Sequence, residues 1–412
     1  MLSVMEARDQ ILAAVTPLGI ERVDLLAAVG QVLREDIYAT RQQPPWDNSA
    51  MDGYALRSAD CAGASRTTPI TLTVVEEIRA GQLPQHSLEP GQVARIMTGA
   101  PLPPGADTIL RQEDTNLGNS QVEIYAAPAP GQDIRRAGED QQVGDLLVQA
   151  GSLLRPAEIG LLAGTRRTRV SVGRKPRVAI LSTGDELCEP DEVGHSGQIV
   201  NTNAYALAAQ VIEAGGLPTL LPIAADTRDS LRQILTEALS ADVILSSGGV
   251  SVGTHDYVKE VLEELGVVMG FWRIRMTPGK PLAFGQLGHK LVFGLPGNPV
   301  SSLVTFELFV RPALLKLTGR RDIFRRCVSA HLVETLSKRT MPHFLRVKLH
   351  QNPQGEWSAT STGPQGSGIL RSMSLADGLA FAPDDKSSVA AGTPLWVMGL
   401  DNRLGTSDSR PF

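Results

Sequence analysis

The chain is short of cysteine, of long apolar runs and of basic charge, and each shortage removes a class of explanation. Its 412 residues include three cysteines, Cys61, Cys188 and Cys327. They are odd in number, far apart and without metal-ligand spacing. Neither a disulfide framework nor a zinc site is expected, and a reducing, cytoplasmic compartment fits. No run of about 18 apolar residues occurs, so no transmembrane helix is expected. The opening MLSVMEARDQILAAV carries acidic residues and no apolar core, so it does not read as a signal peptide. A formal net charge of -5 gives no electrostatic footprint for nucleic acid or for an anionic membrane. An anionic ligand would have to be held by local backbone amides and a few bases. Internal repeats and low-complexity tracts are also missing.

What is present is ordinary for a globular protein, with 42% apolar and 20% charged residues. The length exceeds what one hydrophobic core accommodates, and about two to four domains are expected. Met5, Ile11, Leu12 and Val15 fall at helical spacing before Pro17. A second short helix is expected over Asp24 to Gly30. From about Tyr38 to Gln149, short β-type runs such as ITLTVVEEI and VEIYAAP alternate with turns such as PLPPGAD, which reads as an all-β insertion. From Lys175 the texture is βαβ. The strands RVAILS, LPTLLPI, DVILSS and KLVFGL alternate with helices over Asn203–Ala214, Thr227–Leu239, Tyr257–Leu265 and Val300–Leu317. That alternation predicts a doubly wound, parallel sheet. After Gly319, FLRVKLH, WSATSTG and PLWVMGL read as a small C-terminal β domain. The expected class is α/β multidomain. Residues 1–20 with 174–319 form the α/β domain, 21–38 with 141–173 a linking region, 39–140 the insertion and 320–412 the last domain.

In an open parallel sheet, ligands bind outside the carboxyl ends of the strands. Here those ends read RVAILSTGDEL, DVILSSGGVSVGTHDY and VFGLPGNPVSS. Gly184, Gly248, Gly249 and Gly297 bring backbone amides close to a ligand, and the following helices add their positive N-terminal ends. One such turn alone is a tight βα connection. Three on one sheet edge point to a phosphate-like anion, with Ser247 and Ser251 beside them. Asp185 and Glu186 next to such a site suggest a bridging Mg²⁺, although a solvated, capping loop is the plainer alternative. Asp226 and Asp256 each precede a helix, where N-capping is the plainer reading. Lys280 in MTPGKPLAFG would supply a point charge. In the insertion, PPWDNSAMDGYAL carries Asp47 and Asp52, with an Asx turn as the plain reading of Asp47. RIMTGAP and DIRRAGED follow, the latter read by default as a solvated loop containing Arg135, Arg136, Glu139 and Asp140.

The ordered series DNSAMDGYA, RIMTGAP, RRAGED, STGDEL, SSGGVSVG, PGKP and GLPGNPVS resembles the MoeA family of molybdopterin molybdenumtransferases, also called the gephyrin E-domain family. The resemblance covers nearly the whole chain. It implies adenylated molybdopterin bound on the α/β domain, molybdate as the metal source, AMP as product and Mg²⁺ as the assisting ion. It also implies a homodimer whose cleft is shared between the α/β domain of one subunit and the insertion of the other, and transient contact with other enzymes of the cofactor. By motif, Asp52, Thr98 and Asp140 resemble the insertion side of the site, with Arg135 its base. Glu186, Asp226 and Asp256 match its acidic positions and metal ligands. Lys280 with Pro278 and Gly279, and Pro296 with Asn298 and Pro299, match the substrate loops. Ser367 in PQGSG resembles a C-terminal-domain residue near the oxyanion.

Two positions depart from the pattern. Thr277 precedes PGK where the family usually carries Lys or Arg. Thr340 and Met341 stand where it usually has Gly-Arg, while Phe344 and Arg346 are kept. Both missing charges fall at the expected oxyanion site. Rival readings are an adenylyltransferase on the same domain, which the insertion and C-terminal motifs argue against, and a non-catalytic scaffold, for which no receptor-binding segment is recognisable.

Overall fold

A computed structural model of the chain describes residues 1–249, 257–338, 340–383, 387–400 and 406–407. It divides into two compact units. One comprises 1–35, 150–159 and 168–412, the other 36–149 and 160–167.

The first unit is built on a six-stranded sheet in the order Leu217–Leu220, Arg177–Ser182, Val243–Ser247, Lys290–Leu295, Ala283–Leu287, Val268–Phe271. The first four strands are parallel. Val268–Phe271 and Ala283–Leu287 add an antiparallel edge that the βαβ pattern did not reveal. Alternation along each strand sorts side chains to two faces. Val178, Ile180, Val243, Leu245, Leu291 and Phe293 meet the helices Val4–Ala14, Thr202–Glu213 and the 299–317 segment. Ala179, Leu181, Ile244 and Val292 meet Arg228–Ala238 and Tyr257–Glu264. Both faces are therefore covered, and the exposed parts of the sheet are its edge strands, Leu217–Leu220 and Val268–Phe271.

Local signals set the helix starts. Ser3 and Glu6 close a reciprocal capping box on the first helix. Asn201 caps Thr202–Glu213, and Thr227, not Asp226, caps Arg228–Ala238. The capping role expected of Asp226 thus belongs to its neighbour. The 299–317 helix carries a π-helical turn at Phe306–Val310. The helix expected over Asp24–Gly30 does not form. Ile20–Asp24 is a strand paired with Arg169–Gly173, and hydrogen-bonded turns without helix follow as far as Gln31. So short a segment does not repay helix nucleation. The C-terminal part holds a closed barrel of Cys327–Leu332, Trp357–Ser361, His343–Gln351, Gly378–Ala382 and Pro394–Gly399.

The second unit is the β-rich insertion. Its five-stranded sheet runs Thr108–Arg111, Gly53–Leu56, Gln92–Ile96, Ser65–Ile78, Gln121–Ala126. Ile37–Tyr38 pairs with Leu146–Val148, so its two chain ends lie together.

Candidate active site

In the first unit, three strand ends and two helix starts converge on a pocket of about 100 Å³. Its walls include Thr183 and Glu186, Asn201 to Asn203, Ser247 and Gly248, and Gly297 and Pro299. Residues from all three glycine turns therefore meet. Gly248 and Gly249 have φ of 89° and 68°, which a side chain rarely adopts. A Cβ on Gly249 would stand 2.5 Å from Val258.

Asn203 ties the turns to one another. Its Nδ2 donates to Ser247 Oγ at 2.9 Å and to the Gly297 carbonyl at 2.8 Å. Asn201 accepts from Ser182 Oγ at 3.0 Å, fixing the helix start to the first strand. Neither asparagine was singled out from the sequence. The legible signal was Asn-Thr-Asn at a helix start, where one asparagine is enough for the cap and the second is surplus.

The carboxylates gather at the first strand end. Thr183 Oγ1 donates to Asp226 Oδ1 at 2.7 Å, and the Asp226 amide donates to Asp185 Oδ1 at 3.3 Å. Gly184 has φ of 141°, and a Cβ there would lie 2.4 Å from the Glu186 carboxylate, so the glycine leaves space for that group. Among the described residues, no cluster of three or more His, Cys, Asp or Glu side chains could hold a metal alone. Ser251 and Asp256 lie outside the described residues.

A second group surrounds the start of the Pro299–Thr305 helix. The Val300 amide donates to the Ser367 carbonyl at 3.0 Å. Gly279 packs so closely on Thr305 that a Cβ would lie 2.5 Å from it. Pro278 and Pro296 are buried beside exposed Lys280 and Asn298. Thr277 joins the barrel strand. Its amide donates to the Pro342 carbonyl at 2.8 Å, and its carbonyl accepts from the Phe344 amide at 2.9 Å. The two departures, Thr277 and Met341, are thereby neighbours. Arg346 is fully buried, its Nε donating to Ser372 Oγ at 3.1 Å and Nη2 to the Gly366 carbonyl at 3.1 Å. It holds the 365–367 loop in place. Burial pushes its guanidinium down to about 10, so it stays charged at neutral pH.

In the second unit, Asp52 and Thr98 form one pair. Asp52 Oδ1 accepts from both the Thr98 amide and its hydroxyl, each at 2.7 Å. These bonds, the backbone one first, hold the Asp52 carboxyl below its ordinary value. Asp47 does not close a simple Asx turn. It accepts from Arg136 Nη1 at 2.6 Å and from the Ala137 amide at 2.8 Å, so the loop expected to be solvated is stapled. Arg135 pairs in register with Asn48, which brings the Arg135 loop beside the Asp52 segment. Asp140 is exposed, and its amide donates to the Gln43 carbonyl.

A doubly wound sheet with glycine turns, hydroxyl and amide groups and carboxylates gathered at its strand ends defines an α/β protein with its candidate site where such sheets bind ligands. Comparison narrows this class. Residues 2–165 match the MoeA N-terminal region (domain I and II), 179–316 a probable molybdopterin binding domain, and 332–400 the MoeA C-terminal region (domain IV). A molybdopterin molybdenumtransferase of Nostoc sp. is 42% identical, over 92% of this chain and 88% of its own. One from Haemophilus influenzae is 35% identical, over 98% and 100%. The solved molybdopterin biosynthesis MoeA protein of Pyrococcus horikoshii superposes with a TM-score of 0.82 at 31% identity, over 97% of this chain and 100% of that one. The chain belongs to the MoeA family.

Proposed function

We propose that the chain is a molybdopterin molybdenumtransferase. It passes molybdenum from molybdate into the dithiolene of adenylated molybdopterin, cleaves the phosphoanhydride and releases AMP. The observation that supports this reading is the convergence of three glycine-bearing strand-end turns on one pocket, with the Ser367 and Lys280 loops around the neighbouring helix start. The turns hold the phosphates of the substrate through Ser247, Gly248 and Gly297. Lys280, from the loop beside the start of the Pro299–Thr305 helix, faces the oxyanion.

Mg²⁺ fits the first strand end. It characteristically takes one or two carboxylates and completes its shell with phosphate oxygens and water. Glu186 and Asp226, with Asp185 beside them, offer that donor set, and Asp256 belongs to it by motif. When bound, the ion would neutralise charge on the phosphoanhydride. Asp52, kept ionised by Thr98, orients the attacking oxygen, and Asp140 and Arg135 act beside it. The working molecule is a cytoplasmic homodimer, in which the insertion of one subunit completes the site of the other.

The test supplies adenylated molybdopterin and molybdate and follows AMP release together with cofactor formation. Turnover of both is expected. Consumption of ATP would indicate the adenylyltransferase instead, and no turnover the scaffold. Asp52→Asn should fold, bind substrate and lose about 10²–10⁴-fold in rate, the range for a positioned acid or base. Near-normal cofactor yield would make Asp52 structural.

A further inference from the structure

Among the described residues, three that are not glycine take a left-handed backbone: Leu117, Asp133 and Arg166, with φ of 59°, 53° and 61°. Leu117 and Arg166 are exposed. Asp133 differs from them. Its side chain is 12% exposed, and both its carboxylate and its carbonyl are engaged. Aspartate tolerates this region better than most residues, but glycine enters it without strain. A side chain kept at such a position is explained by what it holds.

What it holds is Arg111. Nε of Arg111 donates to Asp133 Oδ2 at 2.8 Å, and Nη2 donates to Oδ1 at 3.0 Å. A two-pronged pair of this kind fixes orientation as well as charge, which single surface ion pairs rarely do. The bonds from Arg111 also hold the Asp133 carboxyl below its ordinary value. Arg111 lies opposite Gly53 in the sheet, and the next amide, that of Gln112, donates to the Asp52 carbonyl at 3.2 Å. On the other flank, the Asp133 carbonyl accepts from the Ala50 amide at 2.8 Å, and Ile134 pairs in register with Ser49. One residue therefore braces the 49–53 segment twice, through Arg111 on one side and through its own carbonyl on the other. Two positions further along stands Arg135, opposite Asn48.

We propose that Asp133, acting through Arg111, is a positioning residue for the reaction. It sets where the Asp52 carboxylate and the Arg135 side chain stand, and it touches no reacting atom itself. This rests on the reading that Asp52 works in metal insertion. The left-handed backbone is then part of the device: it lets one residue turn its carbonyl to Ala50 and its carboxylate to Arg111.

The test measures kcat, KM for adenylated molybdopterin, the pH–rate profile and the melting temperature of the full chain, with Asp52→Asn alongside. Asp133→Gly keeps the backbone conformation and removes the brace. Its kcat should fall by about ten- to a hundredfold, the scale of a slightly misplaced catalytic group, with KM changed far less. Its acid limb should move to higher pH, because a displaced Asp52 loses the Thr98 bonds that depress its carboxyl. Asp133→Asn keeps an acceptor, and Arg111→Lys keeps the charge without the fork, so both should fall between Asp133→Gly and the parent. Arg111→Gln added to Asp133→Gly should cost little more than Asp133→Gly alone, since both remove one contact. A loss of kcat no greater than the loss of folded protein, or an acid limb that stays in place, makes Asp133 a structural residue and overturns the proposal. Parent-like kcat in Asp133→Gly while Asp52→Asn is inactive overturns it too, and leaves the role of Asp52 intact. Near-normal kcat in Asp52→Asn removes that role, and the proposal falls with it.

Discussion

Two bases usual in the family are missing where the oxyanion is expected, although Arg273, Arg275 and Lys280 stand in the same segment as Thr277, and the chain geometry gives the two gaps a definite location. Thr277 is hydrogen-bonded to Pro342 and Phe344, one and three residues beyond Met341. Bases at both positions would therefore approach one anion. Arg346 is fully buried and committed to Ser372 and Gly366. A charge-assisted hydrogen bond contributes about 1.5–3 kcal/mol, so one missing partner weakens binding by about tenfold or more. Thr277→Lys and Met341→Arg should each lower the molybdate concentration for half-maximal insertion, and together less than additively. Molybdate dependence measured across the four combinations checks this, and an unchanged value in all of them would defeat it. At Asp52 the relevant variable is pH. Two Thr98 bonds depress its carboxyl, so the ionised form persists to lower pH than for a free aspartate. Thr98→Val removes one donor, raises the pKa and should shift the acid limb of the pH–rate profile upward. An unmoved limb would show that another group sets it.

At the scale of elements, the pocket depends on turns being held in register. Asn203 spans the second and third glycine turns, donating to Ser247 and to Gly297. Asn203→Ala leaves its helix capped by Asn201 and removes only the tie. KM for the adenylated substrate should rise more than kcat falls, with stability changed by about 1 kcal/mol. Equal loss in kcat with KM constant would argue against a positioning role. Much of this was legible in advance. Buried strands followed by glycine and small hydroxyl residues announced the three turns, because period and composition are local properties. The Asn203 tie was not legible, since its partners are 44 and 94 residues away. The antiparallel sheet edge also escaped notice, because Val268–Phe271 is only four residues long and is interrupted by Gly270. Asp24–Gly30 misled in the other direction. Its apolar spacing suited a helix, but the pairing of Ile20–Asp24 with Arg169–Gly173 took the preceding backbone.

For the whole molecule, the site motifs are distributed over two compact units, with Asp52 in one and Glu186 in the other. If the cleft is shared between subunits, an Asp52→Asn chain and a Glu186→Gln chain, each inactive alone, should recover activity when mixed. Random exchange with one intact cleft per mixed dimer predicts roughly a quarter of the wild-type rate per chain, because half of the dimers are mixed. No recovery after verified subunit exchange would place a complete site within one chain.

The ladder between Ile37–Tyr38 and Leu146–Val148 brings the ends of a long excursion side by side. To the rest of the chain, such an excursion is equivalent to a hairpin. The entropy of closing a flexible loop grows only logarithmically with its length, and here the closing contact is internal to the insertion. The α/β sheet and the barrel therefore need not wait for the insertion to fold. A short Gly-Ser bridge in its place should leave them able to assemble. Sequence change within the excursion can accordingly be judged by its effect on chemistry, with little penalty to the folding of the remainder.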